Sequence, residues 1–313
     1  MDSEQISQKF RENLEAPNTS PAHASIRTLT QVIEASTEQT VQGLSKELER
    51  AASILYNEAE SRSKILGRTP LSVIAGCDMF RHHTSKTLAA LDYDDFPKLK
   101  AKLVERGYYL SETRPAFLQK IADMAICCFK DNQSVLVHGY SNVVNRILVK
   151  AAEQFHITVI VTECRPFCEG YIMCEELKKH NIQFTLIMDN AVASVMDGID
   201  MVMVGAEAVV ESGGVINRIG TYGIGLIAKF FKKPLYVCTE SLKFVRMFPL
   251  SQRDLPECTK STCPPIQECK AVDSISMTVC DLTPPELISL MFTDLGILTP
   301  SAISDELIML YNQ

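Results

Sequence analysis

The chain reads as an α/β protein, a helical bundle followed by a doubly wound parallel sheet, and two textures along the sequence predict it. From about Glu4 to Lys130 apolar residues recur three and four positions apart among Leu, Ala, Glu and Lys, with little strand signal. From Ser134 onward short β-branched runs alternate with helical stretches, the pattern of parallel strands joined by crossover helices. With 313 residues and 46% apolar content, the chain can bury a large core and divides best into two domains, residues 1–130 and 131–313.

In the helical half, Ile26, Leu29, Val32 and Ile33 form one apolar stripe. Leu44, Leu48, Ala51, Ile54 and Leu55 form a second, and Phe117, Ile121, Met124, Ile126 and Cys127 a third. Stripes at this spacing are core faces of a bundle. Thr40 or Ser36 caps the helix that carries Leu44, and Gly67, Pro70 and Pro115 mark breaks. In the second half the predicted strands are Val135–His138, Thr158–Val161, Phe184–Met188, Met201–Val204 and Leu235–Cys238. The helices between them are Val143–Phe155, Glu169–His180 and Gly223–Phe230. The architecture is therefore Rossmann-like, and in such sheets a ligand lies beyond the carboxyl ends of the strands. Polar residues gather at those ends: Gly139-Tyr140-Ser141, then Glu163 and Arg165, then Asp189 and Asn190, then Glu207. After Met201–Val204, the run from Gly213 to Thr221 reads as a glycine turn opening a helix, with Asn217 and Arg218 placed to hold an anion. Residues 247–283 read as a long surface insertion, 284–288 as the start of a short helix, 295–298 as a tight turn, and the residues after Ser301 as a terminal helix.

A net charge of −7 excludes nucleic acid or an anionic membrane as the main contact, because phosphate surfaces select basic patches. No signal peptide or apolar run of membrane-spanning length is visible, so a cytosolic protein is expected. The eleven cysteines are expected as reduced thiols. Cys127-Cys128 are adjacent, Cys164 and Cys168 lie four apart, and no paired C-x-x-C spacing points to zinc. No cofactor or metal is expected.

Five segments carry a resemblance: Val204-Gly205-Ala206-Glu207, Glu211-Ser212-Gly213-Gly214, Asn217-Arg218-Ile219-Gly220-Thr221, Phe244 to Leu250, and Phe292 to Ser301. Together with Ala24 to Leu29 they resemble the alpha regulatory subunits of the alpha/beta/delta subunit family of eukaryotic translation initiation factor 2B. The resemblance covers nearly the whole chain and is densest from Val135 to Leu255. That family is related to two sugar-phosphate isomerases, acting on methylthioribose 1-phosphate and ribose 1,5-bisphosphate. The isomerase motif T-H-C-N, with a catalytic cysteine, is matched here by Val137-His138-Gly139-Tyr140-Ser141, and N-G-D, with a catalytic aspartate, by Ser212-Gly213-Gly214. Glycine offers no acid or base, so no enzyme activity is expected.

The resemblance implies a non-catalytic subunit that forms a homodimer through its C-terminal domain. It implies as partners the beta, gamma, delta and epsilon subunits of the guanine nucleotide exchange complex and the phosphorylated alpha subunit of translation initiation factor 2. It also implies a retained pocket for a sugar phosphate, lined by Arg27, Tyr140, Ser141, Glu163, Arg165, Asp189, Glu207, Gly213, Asn217 and Arg218. Four of them have a plainer reading: Arg27 as a solvated arginine, Glu163 with Arg165 as an internal salt bridge, Asp189 as a helix cap. Lys243, Arg246 and Phe248 fit a lid, a dimer contact or packing. The alternative function is an active aldose–ketose isomerase of sugar phosphates that has moved its acid and base to Cys164 and Glu207.

Overall fold

The computed structural model describes residues 1–16, 19–66, 69–90, 96–263 and 275–312. Contacts divide the chain into two compact units, Met1–Ala116 with Leu307–Gln313, and Phe117–Glu306. The sequence boundary at residue 130 follows the change of texture, whereas the contact boundary follows packing at Ala116.

The first unit is built on helices α1 (Ser3–Glu15), α2 (Pro21–Ala35), α3 (Val41–Leu66), α4 (Leu71–Ala90) and α5 (Phe96–Glu112). Helix α2 is its centre, packed on each of the other four. Its stripe Ile26, Leu29, Val32 and Ile33 is fully buried, and so are Thr28 and Thr30, whose hydroxyls donate to the carbonyls of Ala24 and Ile26 at 2.8 Å. A buried hydroxyl satisfied within its own helix costs the bundle little. Thr40 caps α3, its hydroxyl accepting from the Gly43 amide at 3.1 Å. The predicted break at Gly67 lies outside the described residues.

The second unit carries helices α6 (Arg114–Ala125), which begins at the boundary, α7 (Asn142–Ala152), α8 (Glu169–Lys179), the short α9 (Val192–Val195), α10 (Thr221–Phe230) and the start of α11 (Ile303–Asn312). Its main sheet contains β1 (Gln133–His138), β2 (Ile157–Thr162), β3 (Gln183–Ile187), β4 (Met201–Val204), β7 (Leu235–Cys238), β12 (Leu290–Thr293) and β13 (Gly296–Leu298). The spatial order is β13-β12-β7-β4-β1-β2-β3. Taken in chain order the six parallel strands therefore lie 3-2-1-4-5-6, with β13 antiparallel at one edge. The order reverses on either side of β1, and right-handed crossovers then place successive helices on opposite faces. On one face Ile121, Val137, Ile147, Val159, Val161, Met173 and Leu177 form a single core.

A second, four-stranded sheet has the order β11-β6-β5-β8, from β5 (Ala208–Val210), β6 (Val215–Arg218), β8 (Phe244–Val245) and β11 (Cys280–Thr283). Three expectations are corrected, two of them by this sheet. The run after Gly213-Gly214 is strand β6, and the helix starts only at Thr221. The segment read as a surface insertion ends in β11, buried along its length and paired with β6, after a hairpin of β9 (Lys260–Cys263) and β10 (Ile275–Thr278). Of the predicted tight turn Leu295–Leu298, Leu295 lies in the turn, and Gly296–Leu298 is strand β13, which closes a hairpin with β12 in the main sheet. Short strands buried on both faces show no alternation, which is why periodicity did not find them. The third predicted stripe also shifts: Ala122, Ala125 and Phe129 join Ile121 in the core, while Cys127 is exposed. A 3-10 turn at Ile126–Cys128 changes the helical period there.

Candidate functional site at the strand ends

The reversal of strand order lies between β1 and β4, and the turns leaving these strands meet there, with Ser141 against Gly205. Ser141 caps α7 through the Val144 amide at 3.4 Å, and the Tyr140 hydroxyl donates to Asn142 at 2.7 Å. At the end of β1, His138 is buried. Its Nε2 lies 2.8 Å from the Ile219 carbonyl and its Nδ1 2.6 Å from the Thr162 hydroxyl. A carbonyl only accepts, so Nε2 carries the proton and Nδ1 accepts from Thr162. Burial lowers the imidazole's pKa, which keeps it neutral.

Gly139 follows with φ +69°, a region that favours glycine. A Cβ there would lie 3.3 Å from the Cys164 sulfur. The space beside Gly139 is thus taken by the Cys164 thiol. Cys164 is itself buried, 3.8 Å from His138 Nε2, and burial pushes its thiol far above the ordinary range, with Glu169 adding to the effect. The β2 loop is held by Asp189, whose two carboxylate oxygens accept from the amides of Cys164 at 2.8 Å and Arg165 at 2.7 Å. Asp189 therefore braces the loop rather than capping the turn that follows it. Arg165 meets Glu163 at 3.0 Å, and its side chain is 51% exposed.

Among the described residues a buried ion pair sits at β6. Arg218 is buried, and its guanidinium binds both oxygens of Glu169, at 2.9 Å from Nε and 2.7 Å from the terminal nitrogen. Glu207 lies 3.7 Å away, and the Phe167 ring centroid 5.9 Å from the guanidinium carbon. Burial works against this charge, but Glu207 and Glu169 outweigh it and hold the group ionised. Beside it, the Asn217 amide donates to the Thr221 hydroxyl at 3.0 Å. Asp281, on the neighbouring strand β11, accepts from the amides of Gly220 at 2.8 Å and Tyr222 at 3.1 Å, closing the start of α10.

The structure thus brings Tyr140, Ser141, Glu163, Arg165, Asp189, Glu207, Asn217 and Arg218 to one end of the second unit's sheets. Gly213 is in the turn of the β5–β6 hairpin. Its amide donates to the Val210 carbonyl at 2.9 Å, and a side chain there would run into the Pro300 carbonyl. Arg27 belongs to the first unit, half-buried, its Nε without a hydrogen-bond partner among the described residues. Sequence reasoning missed Glu169, which it read only as a helix start, and Asp281, which lay in the supposed insertion. The one signal for Glu169 was an acid six residues after Glu163, at the end of the loop that carries Glu163 and Arg165. Chemically the imidazole has both nitrogens occupied, Arg218 is held by Glu169 and Glu207, and Arg165 is a half-exposed cation at the end of β2. Among the described residues no group of three or more His, Cys, Asp or Glu side chains suits a metal ion, and no helix is long and apolar enough to cross a membrane.

Known proteins share both sequence and fold. The Dictyostelium discoideum protein "Translation initiation factor eIF2B subunit alpha" is 42% identical over 318 residues, covering 97% of this chain and 95% of the relative. The Caenorhabditis elegans protein of the same description is 35% identical over 311 residues, covering 98% and 99%. Among solved structures, a translation initiation factor eIF-2B from Pyrococcus horikoshii OT3 matches with a TM-score of 0.70 at 20% identity, covering 95% of this chain and 98% of that one. A chain of the tetrameric eIF2B-beta2-delta2 complex from C. thermophilum matches at 0.78 and 18%, covering 99% and 94%. With the profile of the Initiation factor 2 subunit family matching residues 15–300, the chain belongs to that family.

Proposed function

We propose that the chain is a non-catalytic regulatory subunit of the guanine nucleotide exchange complex for translation initiation factor 2. The observation that carries this is its 42% identity, along nearly its whole length, to a protein described as the alpha subunit of eIF2B. The site supports the non-catalytic part: Gly139 and Gly214 stand at the isomerases' catalytic positions, His138 has both nitrogens occupied, and the Cys164 thiol is held protonated by burial. In this reading a homodimer forms through the C-terminal domain and joins two subassemblies of the beta, gamma, delta and epsilon subunits in the cytosol. The helical domain contacts the alpha subunit of initiation factor 2 when a phosphate has added about −1.5 to −2 charges to it. The test is nucleotide exchange by complexes reconstituted with and without this chain. Omission should leave basal exchange and abolish inhibition by phosphorylated substrate; inhibition that persists unchanged overturns the assignment.

The same reading gives the strand-end rim a sugar phosphate that is held and not turned over. Its support is Arg165, half-exposed at the end of β2 and paired with Glu163. Arg218 is unsuited to the test, because removing it leaves the buried Glu169 without a counter-charge, a loss of about 3–5 kcal/mol. Thermal shift against a panel of sugar phosphates should show stabilisation of about 2.7 kcal/mol at a hundredfold excess over Kd, reduced in Arg165→Ala. No shift with any member removes the ligand from the reading, and turnover of any member removes the non-catalytic conclusion.

A further inference from the structure

The 3-10 turn at Ile126–Cys128 sets two neighbouring thiols side by side, with Sγ–Sγ 3.9 Å. Cys127 is exposed, its thiol donating to the Met124 carbonyl at 3.1 Å, and Cys128 is half-buried. Burial pushes the Cys128 thiol up to about 11, with Cys127 adding to the rise and a hydrogen bond to the Tyr236 phenol opposing it. Two features decide what such a pair can bind. Consecutive Cα atoms are about 3.8 Å apart, below the roughly 4.4–6.8 Å usual for a disulfide, so direct oxidation of the pair is strained. A soft atom bound to sulfur at about 2.3 Å, the length of a zinc–thiolate bond, spans the observed separation easily. Zinc itself asks for four ligands, and no third metal-ligating side chain joins the pair among the described residues.

We propose that Cys127-Cys128 is a vicinal-dithiol site for monosubstituted trivalent arsenicals, electrophiles with one carbon substituent and two exchangeable hydroxyls. The exposed Cys127 sulfur attacks arsenic first, forming one As–S bond as one As–O bond breaks, and the thiol proton leaves with the hydroxyl as water. Cys128 then displaces the second hydroxyl in the same way. Two waters are released and arsenic remains trivalent, so no oxidant or reductant is needed. The second step is intramolecular, and chelation strengthens retention about a hundredfold over a single thiol.

Phenylarsine oxide at one equivalent per chain is the probe. After a wash with a monothiol and tryptic digestion, the peptide Ile121–Lys130 should carry one phenylarsenic group, removable by a small dithiol. Cys127→Ser, at an exposed position that leaves the thermal unfolding curve in place, should lower retention about a hundredfold, and so should Cys128→Ser. An unlabelled peptide from the folded wild type, or equal retention in either serine variant, overturns the proposal.

Discussion

At the scale of single residues, the site is governed by where burial is offset by a partner and where it is not. Arg218 is taken out of water and held charged by two acids, Glu169 and Glu207. Asp281 is buried with one oxygen satisfied by the amides of Gly220 and Tyr222 and the other without a partner among the described residues. Burial pushes this carboxyl up to about 7, the amides pulling the other way. Since the unfolded chain ionises it near pH 4 and the folded protein near pH 7, unfolding releases a proton between those values. Stability therefore falls as pH rises through that window and the loss is complete above it, by at most about 4 kcal/mol. Asp281→Asn, which keeps an oxygen for the two amides, should remove this contribution and be more stable than wild type at pH 8. Urea midpoints of both proteins at pH 5 and pH 8 test this, and equal pH dependence would contradict it.

At the scale of elements, the β5–β6 hairpin places Arg218 by what lies outside the site. Gly213 has φ +80°, and the Pro300 backbone packs against its open side. Gly213→Ala should combine backbone strain with a clash against main chain and cost about 1–3 kcal/mol. Gly223→Ala, on α10 with nothing within 4 Å of an added Cβ, should be neutral or gain about 0.5–1 kcal/mol from helix propensity. Differential scanning calorimetry of the two variants gives the comparison; matching Tm values would remove the hairpin argument. The identity of Gly213 as a special residue was legible in sequence, but its reason was not. A glycine pair beside Asn and Arg is the same text whether it cradles an anion or lets one strand turn under a proline.

At the scale of the whole molecule, the second unit leaves Leu295 37% and Ile297 42% exposed on the β12–β13 hairpin. Apolar side chains on a strand at the sheet edge suit a subunit interface, in keeping with the proposed homodimer. Ile297→Asp should convert a dimer in sedimentation equilibrium to a monomer without changing the circular dichroism spectrum. A variant that stays dimeric places the interface elsewhere.

The sequence by itself determined the helical first part, the parallel strands β1, β2, β3, β4 and β7, and the helices between them, because periodic burial writes itself into local composition. It also determined that polar groups collect at the carboxyl ends of those strands, since a topology switch forces that. Only the tertiary structure decided that β6 and β11 pair as Asn217 with Asp281 and Arg218 with Cys280. It alone decided that Glu169, 49 positions from Arg218, neutralises it. Burial of a charge depends on which distant acid arrives beside it, and strand pairing across tens of residues leaves no period in the chain. The same reason separates Arg165 from Arg218: the first has its acid two residues away in the sequence and stays half-exposed, whereas the second is buried beside an acid that only the fold brings to it.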